Sequence, residues 1–149
     1  MSARLFDTNL WVAVAFQRHP FHERASGTLR AATSTAPAVF CRATQQSFLR
    51  LLTTPALQSV YGADGLTNSD AWVALDALSA LPQVQWRDEP PGLMPVWRGL
   101  AQRETASPKL WMDAYLAAFA VTGGMTMVTL DRDFRQFEPH GLQLELVGV

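Results

Sequence analysis

Three carboxylates, Asp7, Asp113 and Asp131, are the side chains best placed along the chain to form a reactive centre. Asp7 closes the short apolar segment Arg4-Leu5-Phe6, and Asp131 follows the apolar run ending at Val128-Thr129-Leu130. Asp113 lies near the start of a helical stretch from about Lys109 to Thr122. Carboxylates gathered at one edge repel one another, so a cation or shifted protonation must compensate. Hard oxygen ligands without His or Cys favour Mg²⁺ or Mn²⁺ over zinc. Such a centre suits phosphodiester hydrolysis, where a metal activates water and stabilises the developing oxyanion. Each acid also has an ordinary reading. Asp7 caps a helix starting at Thr8-Asn9, Asp131 caps a short helix containing Phe134, and Asp113 complements its own helix dipole.

These acids meet only if the elements between them form a parallel sheet. Short apolar runs alternate with longer amphipathic segments, as a parallel sheet covered on both faces requires. Strands are predicted at Arg4–Phe6, Ala36–Phe40, Val84–Trp86, Met125–Thr129 and Gln143–Val147. Helices are predicted from Thr8 or Asn9, over Phe21–Ala32, Cys41–Thr53 and Leu93–Arg103, and from Lys109 to a Gly123-Gly124 stop. A further helix is expected to be capped by Asn68 or Ser69, with Trp72, Leu75, Leu78 and Leu81 at helical spacing. Pro55 ends the third helix, the stretch Gln58–Thr67 is expected to be loop, and Asp88–Gly92 a turn. Asp131–Phe137 is expected to be a short helix. In such sheets the ligand site lies beyond the carboxyl ends of the strands. The small residues Ala114, Ala117, Ala118 and Ala120 let the Lys109–Thr122 helix lie close to the sheet, bringing Asp113 toward the other acids.

The length of 149 residues fits one domain, 1–149, with 48% apolar and 17% charged residues. The net charge of −1 excludes a polybasic nucleic-acid coat, so any polyanion must meet a local patch. The single cysteine, Cys41, excludes an internal disulfide framework and a cysteine zinc cage. No secretory signal is evident, and the longest apolar stretch, Ala114–Val121, is too short to span a bilayer. A cytoplasmic location is the expectation, with Cys41 a free thiol.

Other motifs carry less. His19 and His22 flank Pro20, which breaks helical spacing, and no third ligand is evident. Cys41 sits where a nucleophile can sit, between strand and helix, but no base accompanies it, so a buried thiol is expected. Neither a dinucleotide-binding nor a Walker motif occurs. Arg42, Arg50, Lys109, Arg132 and Arg135 are the cations near the proposed edge, each a candidate phosphate contact. Thr8, Asn9 and Thr129 can hydrogen-bond the carboxylates, although turn and cap roles explain them equally well. Trp11, Trp72, Trp86, Trp97 and Trp111 are dispersed, which points mostly to core, with some at an interface.

The blocks Leu5-Phe6-Asp7-Thr8-Asn9, Asp113-Ala114-Tyr115-Leu116-Ala117-Ala118 and Val128-Thr129-Leu130-Asp131-Arg132-Asp133-Phe134 resemble the PIN-domain family. They are most similar to its VapC-type toxins, and the resemblance spans nearly the whole chain. It implies a three-layer α/β/α domain with a central parallel sheet of four to five strands. It also implies a Mg²⁺-dependent endoribonuclease (Mn²⁺ as substitute) acting on tRNA or rRNA. By this resemblance Asp7 and Asp113 are the metal ligands, with Asp131 an outer ligand or the orienter of a second ion and Asp133 a weaker candidate. The family usually carries Glu where this chain has Gln45. Gln can orient water as a hydrogen-bond partner but cannot act as an anionic base. Glu104 is a spatial substitute to consider. Family members usually form homodimers and are held inactive by a VapB-like antitoxin.

Two other readings compete. One is a catalytically weak PIN module that binds RNA or antitoxin without turnover. The other is a phosphoaspartyl phosphohydrolase with Asp7 as nucleophile, Lys109 as phosphate clamp and Asp131 with Asp133 as metal ligands. That chemistry usually wants an acid where Asn9 stands, and it leaves Asp113 without a role.

Overall fold

Five short strands pair in the order β3-β2-β1-β4-β5, every pair parallel. They are β1 (Arg4–Phe6), β2 (Ala38–Phe40), β3 (Val84–Trp86), β4 (Thr126–Thr129) and β5 (Gln143–Leu146). The computed structural model describes residues 2–148. The chain winds outward from β1 to β2 and β3, then returns to lay β4 on the other side of β1. That reversal makes the β1–β4 seam the topological switch point, where crossovers diverge and leave a crevice at the carboxyl ends. Asp7 follows β1 there and Asp131 follows β4.

The sheet is covered on both faces because successive residues point to opposite sides. Leu5, Val39 and Met127 face one core, with α6 (Leu93–Ala101), α7 (Leu110–Gly123) and Phe134 and Phe137. Phe6, Phe40 and Val128 face the other, with α1 (Thr8–Ala15), α2 (His22–Ala31), α3 (Arg42–Leu52) and α5 (Asn68–Ser79). The result is the three-layer α/β/α arrangement expected. On the second face Trp11 stacks on Phe40, ring centroids 3.8 Å apart. On the first face α7 buries Ala114, Leu116, Ala117, Ala118, Phe119 and Ala120. Its small side chains permit the close helix–sheet approach that carries Asp113 inward. Gly124 ends α7 in a left-handed conformation (φ 66°) that suits glycine.

Several expectations need correction. The loop expected from Gln58 begins inside a helix, α4 (Pro55–Val60). Pro55 does not merely end α3; it takes the first turn of α4, where its missing N–H costs no hydrogen bond. The side chain of buried Gln58 then ties the following loop, donating to the carbonyls of Leu52 (2.8 Å) and Leu66 (3.0 Å). The cap of α5 is Thr67, not Asn68 or Ser69, in a reciprocal box with Asp70. The segment after Asp131 is a 3₁₀ helix reaching His140. Of the tryptophans only Trp11 is fully buried; Trp72, Trp86 and Trp111 are exposed and Trp97 is intermediate. Among the described residues no helix is long and apolar enough to cross a membrane.

Candidate active site

The β1–β4 register pairs Phe6 with Val128, so Asp7 comes to rest beside Thr129. The Asp7 amide donates to the Val128 carbonyl at 2.9 Å, extending the ladder by one bond. Asp7 Oδ1 accepts from the Thr8 amide at 2.8 Å, and Oδ2 accepts from Thr129 Oγ1 at 2.6 Å. The Thr129 oxygen in turn accepts from the Asp131 amide at 3.0 Å. Asn9 Oδ1 accepts from the Leu130 amide at 3.5 Å. A polar thread thus joins the ends of both strands. Asp7 and Asp131 also cap the segments after them, so their ordinary readings hold as well.

Capping alone does not account for the charge. Asp7 is only 8% exposed. Burial pushes its carboxyl up to about 6 and the charge of Asp131 adds to this, while the bonds from Thr129 and Thr8 pull it down. Asp113, in the first turn of α7, is also raised to about 6. Burial is again the largest cause, followed by the charges of Asp7, Asp131 and Asp133, against a small relief from Lys109. The acids therefore feel one another across the seam, as the repulsion argument expects.

Asp113, Asp131 and Asp133 line a cleft of about 500 Å³ together with Arg103, Ser107, Lys109 and Gln136. Asp7 is not part of that wall and acts on Asp113 through its charge. Among the described residues no carboxylate of this group forms an ion pair within 4 Å; Arg4–Glu145 is the ion pair found. Nor do three His, Cys, Asp or Glu side chains stand close enough to make a ready-built metal cage among those residues. The donor set fits a small hard ion held by one or two carboxylates with water completing its shell. It fits zinc less well, because zinc sites normally include histidine or cysteine ligands and this cleft has neither.

The remaining candidates divide. Lys109 stands at the start of α7 in the acidic cleft. Arg42 and Arg50 line a separate groove of about 560 Å³ with Gln46, Ser47, Met112 and Tyr115. Arg132 and Arg135 are exposed on the 3₁₀ segment and line neither. Gln45 makes no hydrogen bond to a carboxylate; its Oε1 accepts from Arg42 Nη1 at 2.8 Å. Glu104 is exposed and lies outside both walls. Cys41 is buried, its thiol accepting from Thr44 at 3.6 Å. His22 is tied by Nδ1 to the Ala13 carbonyl, and His19 Nδ1 accepts from the Phe21 amide, which fits structural roles. Arg103 and Gln136, 3.3 Å apart, were not foreseen in the cleft wall. Arg103 lies in the connection after α6 and Gln136 in the 3₁₀ helix after β4, and no local pattern links them.

A family model described as PIN domain matches residues 4–138. This chain belongs to the PIN-domain family. Full-length similarity agrees: it is 46% identical over 147 residues to Ribonuclease VapC41 of Mycobacterium tuberculosis, covering 97% of this chain and 98% of that protein. Two solved structures share this fold. VapBC2 from Rickettsia felis, bound to a promoter DNA fragment, aligns with TM-score 0.66 at 15% identity, covering 97% and 98% of the chains. Mycobacterium tuberculosis VapC20, a sarcin-ricin loop cleaving toxin, aligns with TM-score 0.62 at 17% identity, covering 94% and 96%. At those identities the likeness is one of fold. In this PIN domain the switch-point crevice is where the sheet's own topology puts Asp7 and Asp131.

Proposed function

We propose that this PIN-domain protein is an endoribonuclease, the toxin of a VapBC-type pair, working as a single domain over 1–149. The relative VapC41 is named a ribonuclease and matches end to end. It is a hydrolase acting on RNA, and a VapB-type antitoxin is its protein partner, as in the VapBC complexes that share its fold. The observation that carries the chemistry is the buried Asp7, without an ion-pair partner, coupled by charge to Asp113 in the wall of an open cleft.

Activity depends on a divalent ion, with Mg²⁺ proposed as the physiological choice and Mn²⁺ as substitute. Asp7 and Asp113 would hold it, with Asp131 outside them. When bound, such an ion lowers the pKa of water and offsets phosphate charge. The chain's own residues do the rest. Thr129 and the Thr8 amide hold both Asp7 oxygens in place. Asp131, its amide held by Thr129, orients the attacking water. Water gives up one proton to solvent as it adds to phosphorus in line with the departing 3′ oxygen, and the P–O3′ bond breaks as that oxygen takes up a proton from solvent. Arg103 and Lys109 in the cleft wall receive phosphate oxygens. The phosphoaspartyl reading fits less well, because Asn9 stands where that chemistry wants an acid and Asp113, coupled to Asp7 by charge, is left without a role.

Met94, Trp111 and Met112 are exposed, and Met94, Trp97 and Trp111 border an apolar groove of about 410 Å³ between α6 and α7. Such a face supports a protein partner, the antitoxin or a second copy in a homodimer. A cytoplasmic location is proposed with this function. The test is cleavage of tRNA and rRNA by purified protein with Mg²⁺ or Mn²⁺. Cutting should stop with chelator and in Asp7→Asn and Asp113→Asn; retained cutting in both variants overturns the assignment.

A further inference from the structure

Arg42 is held on two sides. Its Nη1 donates to Gln45 Oε1 at 2.8 Å, and its guanidinium carbon lies 5.0 Å from the centroid of the Trp86 ring. Both partners are uncharged, so the positive charge is fixed in position without being neutralised. Among the described residues Arg42 has no acidic partner within 4 Å. Trp86 ends β3 and is 45% exposed, an outlay of aromatic surface that the core does not use. Arg42 opens α3 directly after β2, the strand beside β1, so it stands at the same sheet edge as Asp7.

The groove it lines with Arg50 shares a helix with the acidic cleft. Met112 and Tyr115 of α7 border the basic groove, while Leu110 and Asp113 of the same turn border the acidic one. Arg42 and Arg50 are eight residues apart, roughly 12 Å along the helix axis, and so place two cations along one groove. A single strand whose scissile phosphate sits at Asp113 has this groove as its neighbouring track.

Resting on the ribonuclease reading, we propose that Gln45, Arg42 and Trp86 form a preorganised clamp for an RNA phosphate flanking the scissile one. Gln45 is then a positioning residue that holds Arg42, rather than a weakened member of the metal centre. The guanidinium's remaining N–H edge is the phosphate donor, and little side-chain freedom is lost on binding because the fork is already fixed. A carboxylate in place of the Gln45 amide would pair with Arg42 and cancel the charge the RNA needs.

Cleavage kinetics on a labelled single-stranded oligoribonucleotide pool test this, with Arg42→Ala, Arg42→Lys, Gln45→Glu and Trp86→Phe. Salt-dependent binding is measured beside them in an Asp113→Asn background. Arg42→Ala and Gln45→Glu should raise KM about tenfold with kcat changed little, and lower the salt slope of binding by about 0.7, one phosphate contact on a single strand. Arg42→Lys should keep the slope yet raise KM, and Trp86→Phe should retain most affinity. Gln45→Glu that instead raises kcat and tightens Mg²⁺ binding puts position 45 in the metal centre and overturns the clamp. Unchanged RNA kinetics in Arg42→Ala, with weakened binding of poly-glutamate, assigns the cation to an acidic protein and also overturns it. In both cases the wild type still cuts RNA; a wild type that neither cuts nor binds it removes the functional reading itself.

Discussion

Thr129 donates its hydroxyl hydrogen to Asp7 Oδ2 at 2.6 Å across the seam between β4 and β1. The two residues are 122 positions apart in the chain, and the bond is buried. Through the same oxygen Thr129 accepts from the Asp131 amide, so one hydroxyl sets the place of two acids. Thr129→Val keeps the shape but leaves a buried carboxylate oxygen without its donor. It should destabilise the fold by about 1–3 kcal/mol. Divalent-ion affinity should fall about 10- to 100-fold, as for other supports of metal ligands. Thr129→Ser should restore both, as read by urea unfolding and Mg²⁺ titration; a Val variant indistinguishable from wild type would remove the role.

Stability should depend on pH with a definite sign. Asp7 and Asp113 are both raised to about 6 from an ordinary 3.8. A raised carboxyl pKa favours folding while the proton is bound. That contribution is fully present below about pH 4 and is lost as pH rises through 6. For Asp7 alone it amounts to roughly 3 kcal/mol. Asp113 adds less, because it is only partly buried and solvent screens it. In chelator, thermal scans should show wild type falling in stability between pH 4 and 6. Asp7→Asn should flatten that fall, and an unchanged pH profile in the variant would refute the assignment.

Mg²⁺ should reverse the loss above pH 6, because an ion that binds only the folded state stabilises it by mass action. At 100 times its dissociation constant the gain should be about 2.7 kcal/mol. It should vanish in an Asp7→Asn, Asp113→Asn double variant. The same ion added at pH 4, where both acids carry protons, should do little.

The single substitutions Asp7→Asn and Asp113→Asn should each lower kcat/KM by more than about 100-fold, exceeding the loss expected for a supporting residue. A smaller effect for Asp131→Asn would fit its place outside them.

The alanine face of α7 sets the depth of Asp113. Ala117 is fully buried against the sheet. Ala117→Leu should cost about 1–3 kcal/mol through overpacking. It should also lower activity beyond the loss of folded protein, since the helix carrying Asp113 must move outward. Activity per folded molecule equal to wild type would separate the helix position from the chemistry.

The order of residues alone was enough to set out the alternation of strands and helices and the places of the acids along it. Both depend on local rules: Phe6 and Val128 belong to runs that only a covered parallel strand buries, and Gly124 ends α7 by its own backbone freedom. It also contained the α4 helix in Thr54-Pro55, a start signal masked by the reading of proline as a stop. Packing in three dimensions is what brings Thr129 to Asp7, turns Gln45 to Arg42, and sets Arg103 against Gln136 in the cleft wall. The same holds for Trp72, Trp86 and Trp111, which the fold leaves outside. Periodicity says which residues share a face of one element, but the neighbour each face meets depends on strand order and register. Those are set by the balance of the whole packed core.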